Sequence, residues 1–161
     1  MSAPTPQPFS DDDRVADGPF GGHEFGVRER GRYTPRPSAY VIVVDARNRI
    51  ATVHTPGGMF LPGGGLQSNE SASEAAVREA WEEAALVVAI QTQLCRASQL
   101  VFAADLGAHI DKRSTFFVAT LERADSSGGE RDHRLHWLPP AAAATSMKHE
   151  SHAWAIEQLP R

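Results

Sequence analysis

Residues 72–84 read ASEAAVREAWEEA, a run of good helix formers with no glycine or proline. Ser71 is placed to cap such a helix, and Glu74 follows three residues later, the spacing of a capping box. At 100° per residue, Glu79, Glu82 and Glu83 stand at i, i+3 and i+4, within one face of the helix. Ala72, Ala75 and Ala76 share that face and are expected to leave space above the carboxylates for a bulky ligand. Val77, Ala80, Trp81 and Ala84 are expected to face the core. Like charges at this spacing cost a few tenths of a kcal/mol per pair on an exposed helix. A hard cation reverses that cost, because magnesium takes oxygen ligands and keeps water and substrate phosphate in its shell. Taken alone, the triplet also reads as a solvated acidic face.

The surrounding pattern predicts strands. Residues 38–45 (SAYVIVVD) form a β-branched apolar run suited to a buried strand, residues 46–49 a turn, and residues 50–54 a second strand. A break at 55–58 precedes a short extended piece at 59–61, which leads into Pro62-Gly63-Gly64-Gly65. After the helix, strands are expected at 86–90, 99–103, 114–122 and 135–138, with a loop at 126–129. Pro139 and Pro140 suit a helix start before residues 141–147, and residues 150–159 complete the set. Strands that surround and alternate with a few helices predict an α/β (α+β) fold, a mixed sheet sandwiched between helices.

Residues 1–31 are rich in Pro, Gly, Asp and Arg and read as a flexible N-terminal arm, dispensable for folding, ahead of a domain at 32–161. Packing of Phe9, Phe20 and Phe25 on the domain, or on a second copy of the chain in a homodimer, is the competing reading.

The residues flanking the triplet add a spaced pattern. Five residues separate Gly64 from Glu70, and seven separate Glu70 from Arg78-Glu79. Ala80-Trp81-Glu82-Glu83-Ala84-Ala85-Leu86 follow. This resembles the box of the Nudix hydrolase family of MutT-like nucleotide pyrophosphohydrolases, G-x5-E-x7-R-E-U-x-E-E-x-G-U, where U is a bulky aliphatic residue. Gly64, Glu70, Arg78, Glu79, Glu82 and Glu83 match. Ala85 stands where the family has Gly, at a left-handed turn ending the helix, and Ala80 is smaller than the usual aliphatic residue. Neither departure removes a ligand.

The resemblance implies divalent-metal ligation by Glu79, Glu82 and Glu83, joined by the carbonyl of Gly63. The ion implied is Mg2+, with Mn2+ the alternative. It implies a supporting Glu70–Arg78 pair and close approach of the Gly63-Gly64-Gly65 backbone to ligand. The family reaction is hydrolysis of a phosphoanhydride, by water attack on phosphorus, in a nucleoside diphosphate linked to another group. A carboxylate accepts the proton. Glu130 and Asp132, in the loop before residue 133, are the candidates, and Glu130 is favoured for its longer reach. Glu79 and Glu82 remain alternatives for that role.

The substrate implied is a small nucleotide-like diphosphate. The marks of the ADP-ribose, dinucleoside-polyphosphate and coenzyme A subgroups are not evident, which leaves a nucleoside triphosphate or related nucleotide. Rival readings are a non-nucleotide diphosphate hydrolase and a non-catalytic nucleotide-binding module. Tyr40, Phe60 and Phe102 are candidates to stack a base, with core packing the better reading of each. Arg28, Arg30, Arg32 and Arg36 make a basic stretch, read first as solvated linker and second as a phosphate contact. His149 and His152 at i, i+3 suggest a second metal site or, more simply, exposed residues at a helix start. Trp137 and Trp154 read as packing anchors. The net charge of −4 supplies no field for a nucleic acid polymer or an anionic membrane, and no apolar run reaches the roughly 20 residues of a span. Cys95 is the only cysteine, which suits a reducing, cytoplasmic setting.

Overall fold

The apolar run after Ser38 lies at the centre of a five-stranded sheet in the computed structural model, which describes residues 23–161. Phe9 and Phe20 lie outside the described residues. The elements are β1 His23–Phe25, β2 Tyr33–Val43, β3 Ile50–Thr55, β4 Gly58–Phe60, β5 Gly63–Gly65, α1 Ala72–Ala84, β6 Leu86–Ala103, β7 Ala108–Ala124, β8 Arg134–Leu138, α2 Pro140–Ser146 and α3 Glu150–Glu157. The large sheet has the order β1-β6-β7-β2-β5 and the small one β4-β3-β8. Pairing is parallel for β1/β6 and β2/β7 and antiparallel for β2/β5, β6/β7, β3/β4 and β3/β8, so the large sheet is mixed.

Alternation along β2 builds two cores. Ala39, Val41 and Val43 face one cluster with Ala75, Ala76 and Ala80 of α1, while Tyr40 and Ile42 face another with Ala143 of α2 and Ala155 and Ile156 of α3. Both faces of the strand are therefore buried, which explains its continuous apolar reading. The sandwich of sheet between helices follows as expected. Trp137 and Trp154 pack against the two clusters as anchors.

Several boundaries differ from the expectation. The stretches at 86–90 and 99–103 belong to one strand, β6, whose register shifts at Val87/Val88, Ile90/Thr92 and Gln93/Cys95 break the period-two pattern without ending the pairing. β2 starts at Tyr33, because Pro35 and Pro37 pair with β7 on one side while β5 reaches only Ser38 to Tyr40 on the other. Proline is tolerated there, since no second ladder demands its N–H. The arm reading does not hold through residue 25. His23–Phe25 pairs with Ala97–Gln99, and the Phe25 ring lies 5.8 Å from that of Trp154.

The alanine face of α1 is also corrected. Ala72, Ala75 and Ala76 are buried against the sheet instead of opening space for a ligand, and Trp81 is 38% exposed instead of facing the core. Alanine lets the helix approach the strands closely, and this carries the glutamates of the same face to the sheet edge. Ser71 caps α1 by accepting from the Glu74 N–H at 3.2 Å. The helix ends at Ala85 with φ 57° and ψ 32°, the left-handed conformation for which the family uses glycine. No helix among the described residues is long and apolar enough to cross a membrane.

Candidate active site

The site lies where β5 passes the carboxylate face of α1. Arg78 is its hub. Its Nε and Nη2 donate to the two oxygens of Glu70 at 2.7 and 2.9 Å, a bidentate pair across eight residues. Nη1 reaches Glu79 Oε1 at 2.8 Å and Glu82 Oε2 at 2.9 Å, and Nη2 also donates to the Gly65 carbonyl at 3.0 Å. One guanidinium thus ties the loop before the helix, the glycine strand and two helix carboxylates together. Hydrogen bonding to Arg78 holds the Glu70 carboxyl below its ordinary range. Glu70 first, and then Glu79, push the Arg78 guanidinium further up.

Glu83 is held separately. The Gly63 N–H donates to its Oε2 at 2.9 Å, and its side chain is 10% exposed. A Cβ on Gly63 would collide with the Ala39 carbonyl, and one on Gly64 would stand 2.7 Å from Glu79 Cδ. Gly63 is therefore needed for the close approach of β5 to β2, and Gly64 for its approach to the helix. Burial pushes the Glu83 carboxyl up to about 7; the Gly63 N–H opposes this, and the charges of Glu79 and Glu130 reinforce it.

The loop after β7 completes the cleft by satisfying the helix C-terminus. Ala85 N–H and Gly129 N–H donate to the Trp81 carbonyl at 3.0 and 2.9 Å, and the Asp125 N–H donates to the Ala85 carbonyl at 2.8 Å. A Cβ on Gly128 would meet the Trp81 carbonyl. These bonds carry the Glu130 N–H to 3.4 Å from the Glu83 carbonyl. They also enclose a cavity of about 460 Å³ lined by Glu83, Gly129, Glu130, Arg131, His133 and Leu135. His133, which the sequence reading passed over, stands between the two halves. Its Nδ1 is 3.4 Å from Glu83 Oε1, and its Nε2 is 3.3 Å from Glu130 Oε2 and 3.6 Å from Asp132 Oδ1. The ligating atoms of Glu130, Asp132 and His133 lie within 4.8 Å of one another. The only signal for His133 in the sequence was its place three residues after Glu130.

Glu79, Glu82 and Glu83 carry hard oxygen donors of the kind a divalent cation takes. Their ligating atoms do not all come within 4.8 Å of one another, as those of Glu130, Asp132 and His133 do. Among the described residues no lysine or arginine pairs with Glu83, which is buried beside two like charges. A buried carboxylate so placed is costly without a counter-charge.

The remaining candidates lie elsewhere. Tyr40 is buried in the core, Phe60 is half-buried, and Phe102 is exposed beside His109. Arg28 pairs with Glu24 and stacks over Tyr33. His149 and His152 are not exposed but buried at 9% and 1%. His152 Nδ1 accepts the Leu61 N–H at 3.2 Å, and His149 Nε2 lies 3.3 Å from Lys112 Nζ.

A family model described as the NUDIX domain matches residues 34–160. No curated protein gives a significant match in sequence. Solved structures share the fold. A NUDIX hydrolase from Nitrosomonas europaea aligns over 78% of this chain and 88% of its own, with a TM-score of 0.62 at 17% identity. The E. coli dihydroneopterin triphosphate pyrophosphohydrolase covers 76% and 93%, with a TM-score of 0.55 at 22% identity. A MutT NUDIX hydrolase from Burkholderia pseudomallei covers 79% and 99%, with a TM-score of 0.55 at 24% identity.

Proposed function

The chain belongs to the Nudix family of pyrophosphohydrolases, and from that premise we propose that it hydrolyses a phosphoanhydride in a nucleoside di- or triphosphate, or in a nucleoside diphosphate linked to another group, by attack of water on phosphorus. One observation carries the reading. Arg78 joins Glu70, Glu79, Glu82 and the Gly65 carbonyl in a single network, while Glu83 stands buried with no lysine or arginine among the described residues in an ion pair with it.

In this reading Glu79, Glu82 and Glu83 hold Mg2+, with Mn2+ as the alternative, and the Gly63 carbonyl adds a ligand. A divalent ion bound there neutralises phosphate oxygens and acidifies bound water. Arg78 and Glu70 fix the carboxylates in place before substrate arrives, so little reorganisation remains at the moment of reaction. The glycines of β5 let the phosphates approach the backbone. Glu130, beside Glu83 across the cleft, accepts the proton of the attacking water, and His133 orients its carboxylate. The cleft is small and polar, as suits a compact anionic substrate.

The test is a hydrolysis screen across nucleotide classes and non-nucleotide diphosphates, in magnesium and in manganese, with the products identified. Phosphate or pyrophosphate release from a nucleotide is expected in the presence of metal and none in chelator. Glu83→Gln, which keeps the shape and removes the charge, should lower turnover by at least about 100-fold. Turnover of non-nucleotide diphosphates alone, or unchanged metal-dependent rates in Glu83→Gln, would overturn the substrate or the site respectively. Tight nucleotide binding without turnover would identify a regulatory module.

A further inference from the structure

A group of cations sits on the sheet face that carries α3. Arg36 of β2 and Lys112 of β7 are register partners, so their side chains leave the same face of the sheet side by side. Lys112 is half-buried, with Nζ 3.3 Å from Nε2 of the buried His149. Lys148 adjoins His149 in the chain. Its N–H donates to the Met59 carbonyl at 2.9 Å, and its side chain runs against Gly58. Phe60 flanks His149, with ring centroids 5.1 Å apart.

Among the described residues, no carboxylate forms an ion pair with Arg36, Lys112 or Lys148. The cations raise one another's cost. Burial, and then the charge of Arg36, lowers the Lys112 ammonium below its ordinary value. Burial, then Lys112 and Lys148, pushes the His149 imidazole down to about 4. Like charges gathered at a half-buried position are unfavourable unless an anion meets them.

The cluster is also close to the glycine strand. Arg36 lies two residues before Ser38, which pairs with Gly65, and four before Tyr40, which pairs with Gly63. At about 3.3 Å per residue, Arg36 stands roughly 7 Å along β2 from the residue that pairs with the end of β5. That is a spacing one or two phosphate groups can bridge.

We propose that Arg36, Lys112 and Lys148, with Phe60 as an apolar wall, form a subsite for a phosphate group of the substrate other than the one attacked. The inference rests on the hydrolase reading above and sharpens it. The favoured substrate carries a phosphate chain long enough to pass β5, so a third phosphate adds affinity that a simple diphosphate ester does not gain. Phosphate suits the chemistry, because three flexible or forked donors of one sign match an oxyanion with several acceptor oxygens.

The subsite is tested with inorganic tripolyphosphate titrated into the full chain in chelator, where binding is read without metal or turnover. Saturable one-to-one binding is expected. Arg36→Gln and Lys112→Gln should each weaken it by about tenfold or more, and Lys112→Arg should recover most of the loss. In steady state, the same two cation variants should raise KM for nucleoside triphosphates by a similar factor while kcat stays within about threefold. Arg36 is exposed, so its variant keeps the test valid if Lys112→Gln folds poorly. Equal tripolyphosphate affinity in the wild type and both variants, or no saturable binding by the wild type, overturns the subsite. Absence of turnover with every nucleotide overturns the hydrolase reading instead, and leaves the metal-free binding result standing on its own.

Discussion

The side chain of Glu79 lies directly over Gly64, so close that a β-carbon at position 64 would stand 2.7 Å from its carboxyl carbon. Gly64→Ala should therefore displace the Glu79 carboxylate and disturb its bond to Arg78, while the rest of the strand stays paired. The atom displaced is the end of a flexible side chain, so the stability cost should stay near 1 kcal/mol. Metal-dependent turnover should fall by at least about tenfold, given what a misplaced electrostatic group costs. A kinetic comparison with parallel thermal melts checks this. Unchanged kcat would mean that the position of Glu79 does not matter to the chemistry.

Ala85 holds φ 57°, ψ 32° at the end of α1, and its N–H and carbonyl are both hydrogen-bonded there. The conformation is thus imposed by the helix end and the loop, and alanine bears it at a cost glycine would not. Ala85→Gly should stabilise the protein by up to about 1 kcal/mol. For a domain of this size that is a rise of roughly 2–4 °C in Tm. A fall in Tm would show that the methyl group packs more than the backbone strains.

Removal of residues 1–31 deletes β1, frees the β6 edge at Ala97–Gln99 and strips the Phe25 ring from Trp154. Loss of a partly buried aromatic should cost about 1–2 kcal/mol, a few degrees in Tm. A truncation that keeps His23 onward should keep this contribution. Equal melting of the two truncations would show that β1 adds nothing.

Much of this architecture was legible beforehand because local rules and tertiary packing agree. The β2 run, the α1 span with Ser71 as its cap, and the spacing from Gly64 to Glu83 each carry their own signal. What failed did so where local patterns are degenerate. A wheel puts Ala72, Ala75 and Ala76 on the glutamate face but cannot say whether that face meets solvent or sheet. The bulges in β6 place Gln91, Thr92 and Gln93 in exposed positions and imitate a loop. His133, His149 and His152 draw their settings from partners 37 to 91 residues away or from a loop closure, and no window along the chain contains those partners.

The buried histidines give a pH dependence of known sign. His149 titrates near 4 in the fold against 6.5 when unfolded, and His152 is lowered well below 6.5. Below pH 6.5 the unfolded chain takes up protons that the fold refuses, so stability falls from there towards pH 4. His149 alone accounts for about 3 kcal/mol of that fall. Glu83 acts in the opposite direction when no cation is bound, because its raised value lets the fold take up a proton between about 7 and its ordinary 4.5. Denaturant melts in chelator from pH 7.5 to 4.5 should therefore fall less steeply for His149→Gln than for the wild type, and more steeply for Glu83→Gln. Parallel curves for all three would contradict both assignments.

Glu130 and Asp132 flank the same histidine but do not stand equally with respect to the site. His133 Nε2 is 3.3 Å from Glu130 and 3.6 Å from Asp132, and the charge of Glu130, not that of Asp132, reaches Glu83. The loop brings the Glu130 N–H beneath the Glu83 carbonyl, so backbone as well as side chain holds this residue against the helix end. A base must lie within hydrogen-bond reach of the water it deprotonates and be ionised near neutral pH. Glu130 is half-exposed at the cavity wall, where a small swing of its side chain meets the first condition. Glu130→Gln should lower kcat by about 100-fold or more, within the range general bases supply, while KM and metal affinity change little. Asp132→Asn should cost far less. His133→Gln should fall between them if its part is to aim Glu130, and the double variant Glu130→Gln/His133→Gln should be no slower than Glu130→Gln alone, because both changes disable one function. Steady-state kinetics with metal titration separates these outcomes. Nearly full kcat in Glu130→Gln would move the base to the helix, where Glu79 and Glu82 are the carboxylates left to supply it.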